Sequence, residues 1–387
     1  MDLTNDFQQL FQKHPTHHFF APGRVNLIGE HTDYNGGYVF PCALSFGTHL
    51  LVAPNTDEMV RFRSLNMKET VDMAVADMAH LAPLPNHSWV NYPLGCMAEL
   101  VKRGAHFQQG YDLLFWGDVP AGAGLSSSAA LEVVTAFAFN ELLDMHLDRT
   151  ELARIGQAAE HTFAGVQCGI MDQFASAQGK KNHAIFLNCD TLEFELVPVE
   201  LQGIKVVITN THSPHKLDSG AYNARVAQCR TAVEQIAKVR PISCLAELTQ
   251  GDFDKYSSAI SDSVAFRRAR HVVGEVERTR DAVKALKQGD ITTFGRLMNA
   301  SHVSLRDDYE VTGKELDTLA ETAWKVEGVL GSRMTGGGFG GCTVSLVREE
   351  AIPAFCERVG KEYTAKTGLK ADFYVAEIGD GARYYEG

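Results

Sequence analysis

The chain carries the stretch APGRVNLIGEHTDYNGG at residues 21–37. It opens with a proline-glycine turn and Arg24, runs on as an apolar, strand-like segment, and ends in Glu30, His31, Thr32, Asp33 and Asn35. A strand entering a core does not carry three ionisable side chains in four positions, because each buried charge must be paired or is costly. A ligand with several hydroxyl groups would satisfy them. The segment therefore reads as a strand that delivers a polar binding site, with Asn35, Gly36 and Gly37 as a tight hairpin turn between Tyr34 and Tyr38.

Around this segment lie 387 residues, 45% of them hydrophobic. Single cores stop growing at roughly 250–300 residues, so two domains with a cleft between them are expected, spanning 1–200 and 201–387. The net charge of -12 argues against a nucleic-acid or anionic-membrane partner, both of which need clustered Lys and Arg. An acidic protein that handles phosphate must concentrate positive potential locally, through backbone amides, a few basic side chains or a bound cation. The eight cysteines form no CxxC pair and no metal spacing with histidine, and read as reduced thiols of a cytosolic protein. The first twenty residues lack a basic start followed by an apolar run, and no span of about 20 apolar residues occurs, so a soluble, cytoplasmic protein is expected.

Strands are predicted at 48–54, 59–65, 111–120, 184–189, 204–210, 342–347 and 371–377, from short β-rich runs bounded by turn residues. Helices are predicted at 90–102, 126–143, from about 222 onward, through Val272, Val276, Thr279, Val283 and Leu286 to a stop at Gly289, at 291–305, and at 349–367 with Gly368 as stop signal. The last helix and its flanking strands make a β-α-β unit. The fold class is α+β, in two layered domains.

Three loops hold chemistry. PAGAGLSSSAA, residues 120–130, is a Gly-rich turn entering an apolar helix, where Gly122 and Gly124 permit close backbone approach and Ser126, Ser127 and Ser128 stand at unsatisfied amide donors. No Gly-Lys-Ser/Thr follows, so it is not a Walker A loop. A serine-capped helix after a flexible turn is the bland alternative. RMTGGGFGGC, residues 333–342, places five glycines in six positions before a strand, as a hairpin loop or an amide lid over anionic oxygens. CGIMDQFASAQG, residues 168–179, puts Asp172 in the first turn of a short helix, where the dipole suits a carboxylate that orients a hydroxyl proton or merely improves the helix end. Glu160, within AAEHTF, is either a solvated face residue or a cation ligand.

These loops, in this order behind the 21–37 segment, resemble the galactokinase family of the GHMP small-molecule kinases over essentially the whole chain. The first segment resembles that family's signature, the 120–130 loop resembles the superfamily's nucleotide loop, and the 334–342 loop resembles its third glycine-rich motif and is called the third glycine-rich loop. The resemblance implies a GHMP kinase fold, with an N-terminal mixed sheet backed by helices, a C-terminal ferredoxin-like domain and the active site in the cleft between them. It implies ATP-dependent phosphorylation of the anomeric hydroxyl of α-D-galactose, the entry step of galactose catabolism.

Carried onto this chain, the resemblance gives Asp172 and Arg24 the chemistry and Glu30, His31, Thr32, Asp33, Gly169 and Tyr222 the sugar. Gly122, Ala123, Gly124, Leu125, Ser126, Ser127, Ser128, Gly337 and Gly338 would hold the nucleotide, and Ser128 and Glu160 would hold Mg2+. Acidic acceptors and an imidazole suit hydroxyls, and an unmatched buried group costs about 1–3 kcal/mol. The implied partners are galactose and ATP alone, with a monomeric chain. Competing readings are a silent galactose and ATP sensor, set aside because Ser128, Ala129 and Asp172 are intact, and a kinase for a related sugar such as N-acetylgalactosamine or arabinose. A metal-dependent hydrolase using His31 and Asp33 with His14, His17 and His18 is poor, since those three histidines read as a mobile end without ligand spacing.

Overall fold

The computed structural model describes residues 2–86, 88–120, 123–213 and 219–385. In chain order the strands are β1 His17–Asn26, β2 Tyr38–Val39, β3 Pro41–Asn55, β4 Met59–Ser64, β5 Val71–Ala74, β6 Gly110–Gly117, β7 His183–Asn188, β8 Phe194–Pro198, β9 Ile204–Asn210, β10 Val329–Thr335, β11 Cys342–Arg348, β12 Asp372–Ala376 and β13 Arg383–Tyr384. The α-helices are α1 Leu3–Phe11, α2 Asn91–Lys102, α3 Ser127–Leu142, α4 Arg149–Ala159, α5 Met171–Gln178, α6 Ser219–Ile236, α7 Gln250–Tyr256, α8 Ser263–Lys287, α9 Ile291–Ser304, α10 Gly313–Ala323 and α11 Ile352–Thr367. Among the described residues no helix is long and apolar enough to cross a membrane.

The first sheet is mixed, in the order β13-β1-β3-β6-β4-β5, with β4 and β6 parallel and its other pairs antiparallel. The central strand β3 shows why it is two-faced. Leu50 and Val52 join the core that α3 builds, whereas Leu51 and Ala53 meet Leu3 and Phe7 of α1 on the other face, as period-two alternation requires. Helix α3 is buried along most of its length from Ala129 to Asn140, which explains its nearly all-apolar sequence. It packs with α5 on β1 and β3, and α2 and α4 cover it.

The second sheet runs β10-β11-β9-β12, all antiparallel. Strands β11 and β12 flank β9 and are joined through α11, so the predicted β-α-β unit is a split one, with its helix stopped by Gly368 at φ 75°. The third sheet is small, in the order β2-β7-β8. An α+β architecture with two layered sheets is what forms.

Two local expectations fail. Asn35, Gly36 and Gly37 do not turn a tight hairpin: residues 33–35 form one 3-10 turn closed by Gly36 at φ 71°, and β2 pairs with β7 instead. The segment of His14, His17 and His18 is no loose end, because His17 and His18 open β1 opposite Val52 and Leu51, and His18 Nε2 lies 3.0 Å from His49 Nδ1. At the end of the chain β13 returns to the first sheet and pairs with Phe19 and Phe20 of β1.

Candidate active site

A cavity of about 320 Å3 is lined from both halves of the chain, and the segment that begins at β1 supplies Arg24, Glu30, His31 and Asp33 to it. The register of β1 against β3 shifts between Pro22 and Arg24, and such a bulge re-aims the following side chain. Arg24 is thereby turned into the cavity, nearly fully buried. Its Nε and Nη2 each lie 2.8 Å from the two oxygens of Asp172, a bidentate pair, and Nη1 donates to the carbonyl of Gly124 at 2.8 Å. Ser126 also donates its hydroxyl to Asp172 Oδ2. Three donors thus fix the orientation of one carboxylate at the second position of α5.

Ser126 does not cap α3 with its side chain, as three serines at a helix start suggested. It sits at φ 62° and gives its hydroxyl to Asp172, so the first amides of α3 receive no cap from it, and Ser127 and Ser128 line the cavity at that helix start. Ala123, Gly124 and Leu125 line the same wall, as do Gly336 and Gly337 from the third glycine-rich loop. Gly338 is not among the lining residues. Gly122 lies outside the described residues.

On the opposite side Glu30, His31, Asp33, Gly169 and Tyr222 line the cavity. Glu30 Oε1 accepts from the Gly336 amide at 2.8 Å and from Arg333 Nη1 at 3.2 Å, while Oε2 has no hydrogen-bond partner among the described residues. His31 stands at φ 62° with Nδ1 2.8 Å from Tyr34 Oη and Nε2 3.2 Å from the Gly337 carbonyl. Asp33 lies against the Cα of Gly169, where a Cβ would come within 2.0 Å of its Oδ2, so only glycine fits there. Burial, reinforced by the nearby charge of Asp172, pushes the Asp33 carboxyl up to about 7. Thr32 stands apart from the expectation: its hydroxyl donates to the carbonyls of Gly29 and Tyr38, and it does not line the cavity.

Beyond Ser128 sits a buried acidic cluster. Glu160, in a π turn at the end of α4, has Oε1 3.4 Å from Ser128 Oγ, and its Oε2 accepts from Gln173 Nε2 at 2.7 Å. Burial, then the charge of Asp172, pushes Glu160 up to about 7. Gln173 also donates to Glu132 Oε2 at 2.9 Å, and full burial raises Glu132 well above the ordinary carboxylate range. Among the described residues no group of three or more His, Cys, Asp or Glu could hold a metal ion by itself. Ser128 and Glu160 nevertheless fit Mg2+, a hard cation that takes one or two protein oxygens and completes its shell with water and phosphate.

Sequence reasoning missed Glu132, Gln173, Arg333 and Tyr309. Glu132 left a signal, a lone acid in the buried stretch of α3. Arg333, fully buried, had one too, since a buried guanidinium needs an anion and finds it in Glu30. The contacts of Gln173 and Tyr309 depend on elements distant in sequence and left none.

Comparison with known proteins matches residues 5–54 to the galactokinase galactose-binding signature, 91–180 to the GHMP kinases N terminal domain and 282–365 to GHMP kinases C terminal. A galactokinase of Clostridium beijerinckii is 49% identical over 98% of both chains, and one of Bacillus subtilis 45% identical over 100% of this chain and 99% of its own. A crystal structure of Lactococcus lactis galactokinase complexed with galactose superposes with a TM-score of 0.95 at 43% identity, covering 99% of each chain. Methanococcus jannaschii mevalonate kinase shares the fold, with a TM-score of 0.65 at 17% identity over 96% of this chain and 99% of its own.

Proposed function

The chain belongs to the galactokinase family of the GHMP kinases, and we propose that it transfers the γ-phosphoryl group of ATP to the anomeric hydroxyl of α-D-galactose, giving galactose 1-phosphate and ADP. The observation that carries this reading is the side chain of Arg24. One guanidinium holds the Asp172 carboxylate by two bonds and the Gly124 carbonyl of the serine loop by a third, which joins the sugar side of the cavity to the phosphate side.

In this mechanism Asp172 accepts the proton of the anomeric hydroxyl as its oxygen attacks γ-phosphorus, and the bond to the β-phosphate oxygen breaks. Arg24, paired with Asp172, faces the transferring group and offsets its charge. The amides at the start of α3 and those of Gly336 and Gly337 receive phosphate oxygens. Ser128 and Glu160 would hold Mg2+, which would supply neutralisation of the triphosphate charge. Glu30 Oε2, which lacks a protein partner among the described residues, and the carboxylate of Asp33 accept sugar hydroxyls. Tyr222 closes the pocket beside the Gly169 backbone. Little covalent work falls to the protein, so positioning and charge stabilisation carry the rate.

The division near residue 200 is part of the same reading, supported by the change of sheet at β9, with β13 as the strand that crosses back. The chain acts as a cytoplasmic monomer whose partners are its two small-molecule substrates, a reading supported by its acidic composition and the unpaired thiols of its eight cysteines. An ADP-release assay with Mg-ATP across a panel of hexoses tests the function. Galactose should give the highest kcat/KM, and no turnover with galactose would overturn it.

A further inference from the structure

A hydrogen-bonded chain runs from α6 to the third glycine-rich loop. Cys229 Sγ lies 3.1 Å from Tyr309 Oη, Tyr309 Oη 2.7 Å from Tyr34 Oη, Tyr34 Oη 2.8 Å from His31 Nδ1, and His31 Nε2 3.2 Å from the carbonyl oxygen of Gly337. Cys229 and Tyr309 are buried and Tyr34 is half-buried. Of the four side chains only His31 lines the cavity, and no step of the transfer described above is assigned to any of them.

Chemistry forces the direction of every bond. A carbonyl oxygen only accepts, so the Nε2 of His31 must carry the proton. Burial, aided by the nearby His271 and Arg225, holds the imidazole down at about 3, so the ring is neutral and Nδ1 is a bare lone pair. Tyr34 must then donate into it. With its one proton engaged there, Tyr34 accepts from Tyr309, and Tyr309 in turn accepts from the Cys229 thiol. Reversed, the chain fails at Gly337, where two acceptors would face each other.

We infer that Tyr34 and Tyr309 are positioning residues that fix His31 as an Nε2–H donor and so latch the sugar segment to the third glycine-rich loop. The inference rests on the proposed function only for which ligands the latch joins. A second tie runs in parallel, because Glu30 accepts from the Gly336 amide at 2.8 Å. Two consecutive residues of the sugar segment thus hold two consecutive glycines, one as acceptor and one as donor. The far end of the latch is itself anchored, with Arg225 Nε donating to the Tyr309 carbonyl at 2.8 Å. Ordering the loop around nucleotide and ordering the segment around sugar are therefore one event, and losing the latch weakens both.

The test is a two-bond 1H–15N spectrum of ligand-free protein labelled in histidine, with the His31 signal identified by its absence in His31→Gln. The expected signature is a protonated Nε2 and an unprotonated Nδ1, unchanged from about pH 6 to 8. Tyr34→Phe keeps the ring but removes the donor. It should shift the His31 Nδ1 resonance and raise the KM for ATP about fivefold, although Tyr34 does not line the cavity. Should that variant fail to fold, Tyr309→Phe must move the same resonance in the same direction by less. A wild-type His31 protonated on Nδ1, or a resonance that neither substitution moves, overturns the inference. The spectrum is recorded without substrate, so its outcome does not depend on which sugar is phosphorylated.

Discussion

Asp172 shows how far one side chain depends on its neighbours. Two bonds from Arg24 and one from Ser126 leave the carboxylate little freedom, so it meets a hydroxyl in one orientation. Asn in its place keeps the size but cannot accept a proton. Asp172→Asn should lower kcat at least about a hundredfold while ATP binding, followed by calorimetric titration, stays nearly intact. Retained turnover above that level would remove the base. Asp33 carries the second prediction. Its carboxyl is raised to about 7, so it is ionised above that pH and protonated below it. As the ionised form accepts the sugar hydroxyl, kcat/KM for galactose should rise from about pH 6 and level off above about pH 8, since this profile reports the free enzyme. Burial also raises the Glu160 carboxyl to about 7, so a second limb falls in the same window. Asp33→Asn should flatten the galactose profile and leave the limb in the ATP profile; a limb that persists in both would assign it elsewhere. That Arg24, Asp33 and Asp172 meet in one cavity is legible in sequence because each stands in a short local motif. Thr32 stood in the same motif and was misread, since sequence spacing does not say which way a side chain turns.

Among the elements, α9 and β10 press closer than side chains allow. A Cβ on Gly295, in the interior of α9, would lie 2.2 Å from the Leu330 carbonyl oxygen, and one on Gly331 would lie 2.5 Å from the Gly295 carbonyl oxygen. Glycine inside a helix costs about 1 kcal/mol relative to alanine, so propensity alone favours replacing it. The clash is with backbone, which cannot swing aside, and overpacking of this kind costs about 1–3 kcal/mol. Gly295→Ala should therefore lower the urea midpoint. Gly251→Ala in exposed α7, where the new Cβ would meet nothing closer than Thr249 Oγ1 at 3.9 Å, should hold or raise it. Equal shifts in the two variants would show that propensity, not contact, decides. Periodicity finds α2, α8 and α11 because each carries apolar residues at helical spacing, whereas α3 stands out as an apolar run. It missed the true turn after Asp33, where the Asn-Gly pair looks like a hairpin but the binding segment bends into a 3-10 turn that aims Asp33 at the cavity.

Across the whole molecule, two sheets do not mean two independent folding units. One hydrophobic cluster contains Val25, Ile28 and Phe40 from the first half of the chain and Ile208, Val283, Phe294 and Val344 from the second. Buried polar ties cross the same line, among them the Gly29 amide on Glu275 at 3.1 Å and Arg333 Nη1 on Glu30 at 3.2 Å. The tail adds a third link: the Gly381 amide donates to the Gly179 carbonyl at 2.8 Å, just beyond α5, and β13 then pairs with β1. Separating the halves would expose that cluster and break those buried polar ties, a larger loss than domains joined by a small polar interface suffer. Unfolding should therefore be a single cooperative step despite the chain's length. The three tryptophans provide the measurement, since Trp89 lies in the first half and Trp324 donates to the Ser332 carbonyl in the second. Single-tryptophan variants reporting from Trp89 and Trp324 should give coincident urea curves with the same midpoint. Curves separated by more than their fitting error would mean that the shared core yields before either sheet does, and that the cleft opens without unfolding.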